Sequence, residues 1–233
     1  MASHLLALCM HTLAIFRNPS TGEWNGVLIV EAITFFAYTH LGVFFLAMLQ
    51  IVMLGEPFCW SPILIGYFSA AKLTGIIIGM TVVAKILQTW FDDYGLIQIG
   101  LLSMFTSALI PVYARTDAGL FLVAVFGAFR LVPGPILTSS LSKLVKKSSM
   151  GSVFGLTSAV ECLGAFLAPT IYGTIYQATV EDDPMFVFKL MAGLTAIPSA
   201  LVLFLQCWKC TSGAANYNEV KEEKLLPTST SKQ

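Results

Sequence analysis

The chain has 233 residues, of which 56% are hydrophobic and 11% charged, and its 13 basic and 13 acidic residues cancel. Because a soluble domain carries about 25% charged residues, this composition lacks the polar surface that a soluble protein of this length needs. The balanced charge leaves no basic surface for nucleic acid, and the continuous apolar runs differ from the alternating strands of a membrane β-barrel. The composition therefore predicts an all-α membrane protein.

The first predicted element, residues 1–26, is a cytoplasmic juxtamembrane segment that leads into the first span. Its beginning, Met1–Phe16, lacks the basic region and the small-residue cleavage site of a secretory signal peptide. We therefore expect a helix that lies against the membrane.

Six apolar stretches follow, each close to or above the ~20 residues that a helix needs to cross the hydrocarbon core of a bilayer. They predict a six-helix transmembrane domain over residues 27–208, and the connections between the stretches are short. Consecutive helices should therefore lie antiparallel and adjacent. The predicted spans are Val27–Met53, Pro62–Leu87, Leu96–Tyr113, Leu120–Leu141, Val153–Tyr176 and Met185–Trp208.

Two local patterns predict how these helices pack. Gly75 and Gly79 lie one turn apart in the second span, a spacing that lets two helices approach closely. The sequence Pro133-Gly134-Pro135 predicts an interruption of the fourth span. An interrupted helix exposes backbone groups, which a membrane tolerates only where protein or a watery cavity satisfies them.

Lysine and arginine concentrate at one set of helix ends, which predicts that both termini are cytoplasmic. The polar residues 209–233 should form a disordered cytoplasmic tail. Within it, Tyr217 and Val220 match the tyrosine-x-x-bulky pattern of endocytic and lysosomal sorting signals, although an ordinary solvated tail is the alternative. The basic residues on the cytoplasmic side are Arg17, Lys85, Lys143, Lys146, Lys147, Lys209, Lys221, Lys224 and Lys232.

Four ionisable residues interrupt the spans: Glu31, Lys72, Arg130 and Glu161. A charge near the bilayer centre costs at least ~2.5–3.5 kcal/mol, so such residues usually face a bundle interior or a watery path. They could form structural salt bridges, or they could bind an anionic or zwitterionic solute with the carboxylates as proton carriers. We favour solute binding for Arg130 and Lys72 and leave both readings open for Glu161. For Glu31, nearer the cytoplasmic face, we favour an interfacial contact over proton coupling.

His40 lies in the middle of the first span, where small environmental changes can move its pKa across physiological pH. It is a candidate proton relay, and a hydrogen bond to a neighbouring helix is the alternative. The sequence contains no motif of a zinc protease, a serine hydrolase or a phosphate-binding loop. We therefore predict neither an enzyme nor a metal or cofactor site.

A run of motifs carries a family resemblance. Residues 54–70 read LGEPFCWSPILIGYFSA, with Pro57, Cys59, Trp60 and Gly66 as the most specific positions, and Ser142-Lys143 follows within an LSKLV sequence. Over nearly the whole chain this order resembles the C-terminal half of solute carrier family 46. The resemblance implies helices seven to twelve of a major-facilitator fold and the transport of folate or another organic anion with protons.

The resemblance adds Tyr67 and Thr138 to the candidate substrate contacts. Thr138 stands where folate-transporting members of the family carry an arginine, and Arg130 lies ~12 Å earlier along the helix. An anionic solute other than folate is therefore expected.

Two hypotheses follow. The first is a proton-coupled secondary transporter of a small organic anion, present as a half-length chain in the plasma membrane or the lysosomal membrane. Its missing wall would come from an N-terminal half, a second copy or a full-length relative. The second is a non-transporting six-helix protein that regulates or partners a full-length transporter.

Overall fold

The computed structural model describes residues 26–56, 58–143 and 150–208, and within these ranges all regular secondary structure is helical. Pro57 of the family motif and the sorting residues Tyr217 and Val220 lie outside the described residues. The same holds for the predicted juxtamembrane segment up to residue 25 and for the tail from residue 209.

Seven helices make up the described fold, and five of them are long and apolar enough to cross a membrane. These five begin and end within three residues of predicted spans, and α4 and α5 divide the fourth predicted span between them. The helices are α1 (Gly26–Leu54), α2 (Pro62–Leu87), α3 (Asp93–Tyr113), α4 (Asp117–Phe126), α5 (Pro133–Lys143), α6 (Met150–Thr179) and α7 (Phe186–Trp208).

The fourth span is interrupted, as predicted, but the break covers residues 127–132 and precedes the proline pair. Gly127 caps α4, and Pro133 is the first residue of α5. Proline is tolerated at the first position of a helix because its missing N–H would have no partner there. The expectation that Pro133-Gly134-Pro135 is itself the interruption is therefore wrong, since these residues start the second half of the span.

The backbone groups freed by this break are satisfied by neighbouring helices. The Tyr38 hydroxyl of α1 donates a hydrogen bond to the Arg130 carbonyl oxygen at 3.1 Å. The Ser103 hydroxyl of α3 donates to the carbonyl oxygen of Phe126. Two helices thus hold the interrupted segment in place, which meets the requirement that irregular backbone within a membrane be buried in protein or line a cavity.

Close backbone approach positions the second span against the break. A Cβ placed on Gly75 would lie 2.9 Å from the Ala124 carbonyl oxygen, and one on Gly79 would lie 2.6 Å from the Ala128 carbonyl oxygen. The predicted close contact along this face of α2 is therefore confirmed. A π-helical turn, Gly79–Val83, begins at the tighter of the two contacts, a local geometry that often marks functional sites.

Replacing Gly79 by alanine should destabilise the fold by about 1–3 kcal/mol, because the added methyl must displace backbone rather than a flexible side chain. Gly66→Ala is the matched control, since no described atom lies within 4 Å of its added Cβ. It should be neutral or slightly stabilising, because alanine favours helix. Unfolding of both variants in mixed micelles, followed by circular dichroism, measures the difference, and equal effects would contradict the contact.

The family motif residue Trp60 joins two loops at one end of the bundle. Its ring is 4% exposed and packs against Phe68 and Phe121. Its indole N–H donates to Asp117 Oδ1 at 2.7 Å, and its backbone N–H donates to the Met53 carbonyl oxygen at 2.7 Å. The conspicuous tryptophan of the motif therefore fixes the α1–α2 connection to the start of α4.

Two exposed ion pairs lie outside the core of the bundle. Lys143 Nζ is 3.4 Å from Asp93 Oδ2, and Lys189 Nζ is 2.6 Å from Asp183 Oδ2. The hydrogen bond from Lys189 lowers the pKa of the Asp183 carboxyl below its usual value. Exposed pairs of this kind contribute little to stability, so the motif residue Lys143 has a peripheral position.

Candidate functional site

A cavity of about 950 Å³ lies between α1, the break in the fourth span, α5 and α6. Its size is at the upper end of the ~300–1,000 Å³ typical of small-molecule sites. Its wall is mainly apolar, with one cationic and one anionic residue among its lining. The lining residues are Tyr38, Thr39, Gly42, Val43, Leu46, Met80, Arg130, Leu131, Gly134, Pro135, Thr138, Ser139, Ser142, Phe154, Glu161, Cys162 and Ala165.

Arg130 is the cation, and it lies within the break itself. Its side chain is 2% exposed, and the guanidinium carbon is 4.9 Å from the centre of the Phe45 ring, close enough for a cation–π contact. Nε and Nη1 are buried and have no hydrogen-bond acceptor in the described part of the chain. A planar guanidinium with unused donors matches the geometry of a carboxylate, sulfate or phosphate group.

Glu161 is the anion of the cavity, contributed by α6. The residue is exposed, in contrast to Arg130. Neither residue forms an ion pair within ranges 26–56, 58–143 and 150–208. The two charges therefore do not neutralise each other at short range, and the guanidinium can bind an anionic group of a solute.

Hydroxyl groups on α5 complete the polar part of the wall. Thr138 donates to the Gly134 carbonyl oxygen at 3.0 Å, and Ser142 donates to the Ser139 carbonyl oxygen at 2.7 Å. Their donors are used within the helix, while their oxygens can still accept. The sequence-predicted residues Arg130, Thr138, Glu161 and Ser142 are thus brought to one cavity.

Lys72 and Tyr67, the other two predicted solute contacts, do not line this cavity. Lys72 is partly exposed on α2, with its Nζ 5.9 Å from the centre of the Phe68 ring. Tyr67 is 67% exposed on the same helix. Direct solute binding by either residue remains a prediction.

His40 lies beside the cavity and not in its lining. Its ring is between those of Phe36 and Tyr172, with ring centres 5.8 Å and 5.4 Å away. The backbone of His40 lies against Gly164 of α6, and its Nδ1 is buried without a hydrogen-bond partner among the described residues. The hydrogen bond considered for this histidine is therefore not formed through Nδ1.

Glu31 is fully buried within the bundle, and its interfacial contact stays a prediction. Its Oε1 accepts hydrogen bonds from the Tyr94 hydroxyl of α3 and the Ser140 hydroxyl of α5, each at 2.7 Å. The carboxylate thus links three helices through a partly buried network, and Glu31 is not among the residues that line the cavity. Sequence analysis missed Tyr94 and Ser140, because nothing local marks a hydroxyl whose partner is on another helix.

Sequence comparison shows what the chain resembles. The lysosomal proton-coupled steroid conjugate and bile acid symporter SLC46A3 of Rattus norvegicus is 30% identical over 205 residues, which are 86% of this chain and 43% of the relative. The human protein of the same name is 29% identical over 229 residues, 96% of this chain and 47% of the relative. The proton-coupled folate transporter of Bos taurus is 33% identical over 201 residues, 83% and 42% of the two chains.

No protein-family model matches the chain. The chain spans less than half the length of each of these curated relatives. The relatives are transporters by name, which agrees with the predicted absence of an enzyme.

Proposed function

Because the chain is a homologue of the solute carrier family 46 transporters, we propose that it forms one wall of a proton-coupled carrier for an amphipathic organic anion. The observation that carries the proposal is Arg130, a buried guanidinium at the wall of a mainly apolar cavity, whose Nε and Nη1 have no acceptor among the described residues. Such a wall suits a solute with a single anionic group on a large apolar body. The names of the relatives, which include bile acids and steroid conjugates, describe solutes of this chemistry.

Proton coupling is assigned in this proposal to Glu161, the carboxylate that lines the cavity. An anion bound beside Arg130 would favour uptake of a proton by a nearby carboxylate, because a negative charge close by favours the neutral form of a carboxyl group. The anion and the proton would then cross the membrane together with less net charge. His40, which lies on α1 beside the cavity but outside its lining, is proposed to relay protons toward the cavity. The carrier is proposed to reside in the lysosomal membrane, as the names of several relatives state for them, with both termini cytoplasmic.

Uptake by liposomes that contain the purified chain tests this function. With an inward proton gradient we expect concentrative uptake of a radiolabelled sulfated steroid or bile acid, abolished by a protonophore. His40→Ala should shift the dependence of uptake on pH, with retained binding as the control for folding. An unchanged pH profile would remove His40 from the relay, and an absence of gradient-driven uptake would contradict the carrier proposal.

A non-transporting role as the partner of a full-length carrier is the second candidate. Such a carrier would cover α2 and α6, whose most apolar 18-residue stretches are only 12% and 17% buried within the described residues. Binding of the anion without uptake by liposomes would support this role.

A further inference from the structure

Two aromatic residues of α1, Tyr38 and Phe45, contact Arg130 at two different points. They are seven residues apart, so their side chains lie on nearly the same face of the helix, about 10 Å apart along its axis. The Tyr38 hydroxyl donates to the Arg130 carbonyl oxygen at 3.1 Å, and the centre of the Phe45 ring is 4.9 Å from the guanidinium carbon. One helix therefore contacts both the backbone and the charged end of Arg130.

The aromatic pair, Tyr38 and Phe45, is itself held by the bundle. Tyr38 is 6% exposed and Phe45 only 1%. The Phe45 ring packs edge-on against Phe188 of α7, with the ring centres 6.0 Å apart. A Cβ placed on Gly134 would lie 3.4 Å from Cε1 of Tyr38. The Tyr38 ring thus lies close to both ends of the segment from Arg130 to Gly134, where the fourth span is interrupted and resumes.

The guanidinium of Arg130 needs support of this kind. Its Nε and Nη1 have no hydrogen-bond acceptor among the described residues, so no hydrogen bond at these two atoms directs the group. The residue also lies in the break, outside regular helix. A long side chain loses much conformational entropy when it is fixed, and a site whose groups are already directed binds its ligand more tightly.

We propose that Tyr38 and Phe45 are positioning residues for anion binding. Tyr38 fixes the backbone of Arg130, and Phe45 directs the guanidinium, so that the cation is held at the cavity wall for the anionic group of the solute. The inference rests on the proposed function, because its gain is in affinity for that anion. Tyr38 also lines the cavity, so direct contact with the solute is the alternative for this residue, and a role in stability alone is the alternative for both.

A double-mutant cycle on Kd separates these roles, with a fluorescent bile acid as the probe and the protein in nanodiscs. Tyr38→Phe should weaken binding about fivefold and Phe45→Leu about tenfold, because one loses a hydrogen bond and the other a cation–π contact. In an Arg130→Ala background both changes should have little further effect, because groups that act through one another are not additive. Phe44→Leu is the matched control, since Phe44 is also fully buried but stacks on Tyr172, with the ring centres 4.0 Å apart. It should lower stability and leave Kd unchanged.

The reactivity of Arg130 tests the positioning without a solute. Phenylglyoxal modifies the guanidinium groups of accessible arginines, and peptide mass spectrometry measures the rate at each site. Arg130, which is 2% exposed, should react slowly in the unaltered protein, and the exposed Arg115 should react fast. Tyr38→Phe keeps the buried ring and removes only the hydroxyl. This variant and Phe45→Leu should each raise the rate at Arg130 about fivefold or more, because the segment opens more often, and leave the rate at Arg115 unchanged.

Three results would overturn the proposal. Equal losses of affinity with and without Arg130 would assign the pair to direct contact with the solute. An unchanged Kd in both variants would leave the pair a role in stability alone, and an unchanged reactivity of Arg130 would show that the pair does not hold it. If the unaltered protein binds no bile acid, the proposed function fails, whereas a raised reactivity of Arg130 in both variants would still support the positioning role.

Discussion

Replacing Arg130 by alanine is expected to weaken the binding of an amphipathic anion about 100-fold or more. Two charge-assisted hydrogen bonds would be lost, each worth about 1.5–3 kcal/mol, and every 1.4 kcal/mol changes Kd tenfold. Arg130→Lys should give an intermediate loss, because an ammonium keeps the charge without the planar fork of donors. Titration of the purified protein in nanodiscs with a fluorescent bile acid measures Kd.

Stability separates a binding role for Arg130 from a structural one. Its Nε and Nη1 are buried without acceptors among the described residues, so Arg130→Met should leave the free energy of unfolding unchanged or raise it. Arg115, exposed between α3 and α4, is the matched control, and Arg115→Ala should alter neither binding nor stability. An Arg130→Met protein that binds the anion normally, or that fails to fold, would contradict the assignment.

Replacing Glu31 by alanine is expected to destabilise the bundle by about 2–5 kcal/mol. The change removes the acceptor of the Tyr94 and Ser140 hydroxyls, which lie in a partly buried site, and an unsatisfied group costs up to about 1–3 kcal/mol when it is buried. Glu31→Gln keeps an acceptor oxygen at the same place and should cost less. Unfolding in mixed micelles provides the free energies.

Two further measurements test the origin of that effect. Glu56→Ala, at an exposed acidic position just beyond α1, should be close to neutral. A double-mutant cycle of Glu31→Ala with Tyr94→Phe should show a coupling of about 0.5–3 kcal/mol, because the two groups share a hydrogen bond. Additive effects would show that the pair does not interact. If Glu31→Gln folds but loses proton-driven uptake, Glu31 takes part in proton coupling after all.

The contrast between Arg130 and Glu31 shows which property of a charged residue the sequence did not predict. Arg130 and Glu31 look alike in the sequence, since each is one ionisable residue in an apolar run. In the structure two donors of Arg130 have no acceptor among the described residues, whereas Oε1 of Glu31 accepts hydrogen bonds from hydroxyls 63 and 109 residues away. Such hydrogen-bond partners cannot be predicted from local sequence, because side chains of different helices meet only when the bundle packs.

The positions of the long helices were predictable from the sequence. Apolar runs set the spans, and local signals set some of the ends: Ser61 caps α2, with its hydroxyl accepting from the Leu64 N–H, and Pro62 follows at the first helical position. These are interactions within a few residues of chain, so they need no knowledge of the rest of the fold.

The position of the break and the content of the cavity were decided by tertiary structure. The proline pair predicted an interruption of the fourth span. The carbonyl groups that the interruption frees accept hydrogen bonds from Tyr38 and Ser103, which belong to other helices. In the same way, Arg130, Thr138 and Glu161 share a cavity from which Lys72 is absent. Hydrophobic length and local capping determine a helix by themselves, whereas a site within a membrane depends on which helix faces which, and only packing decides that.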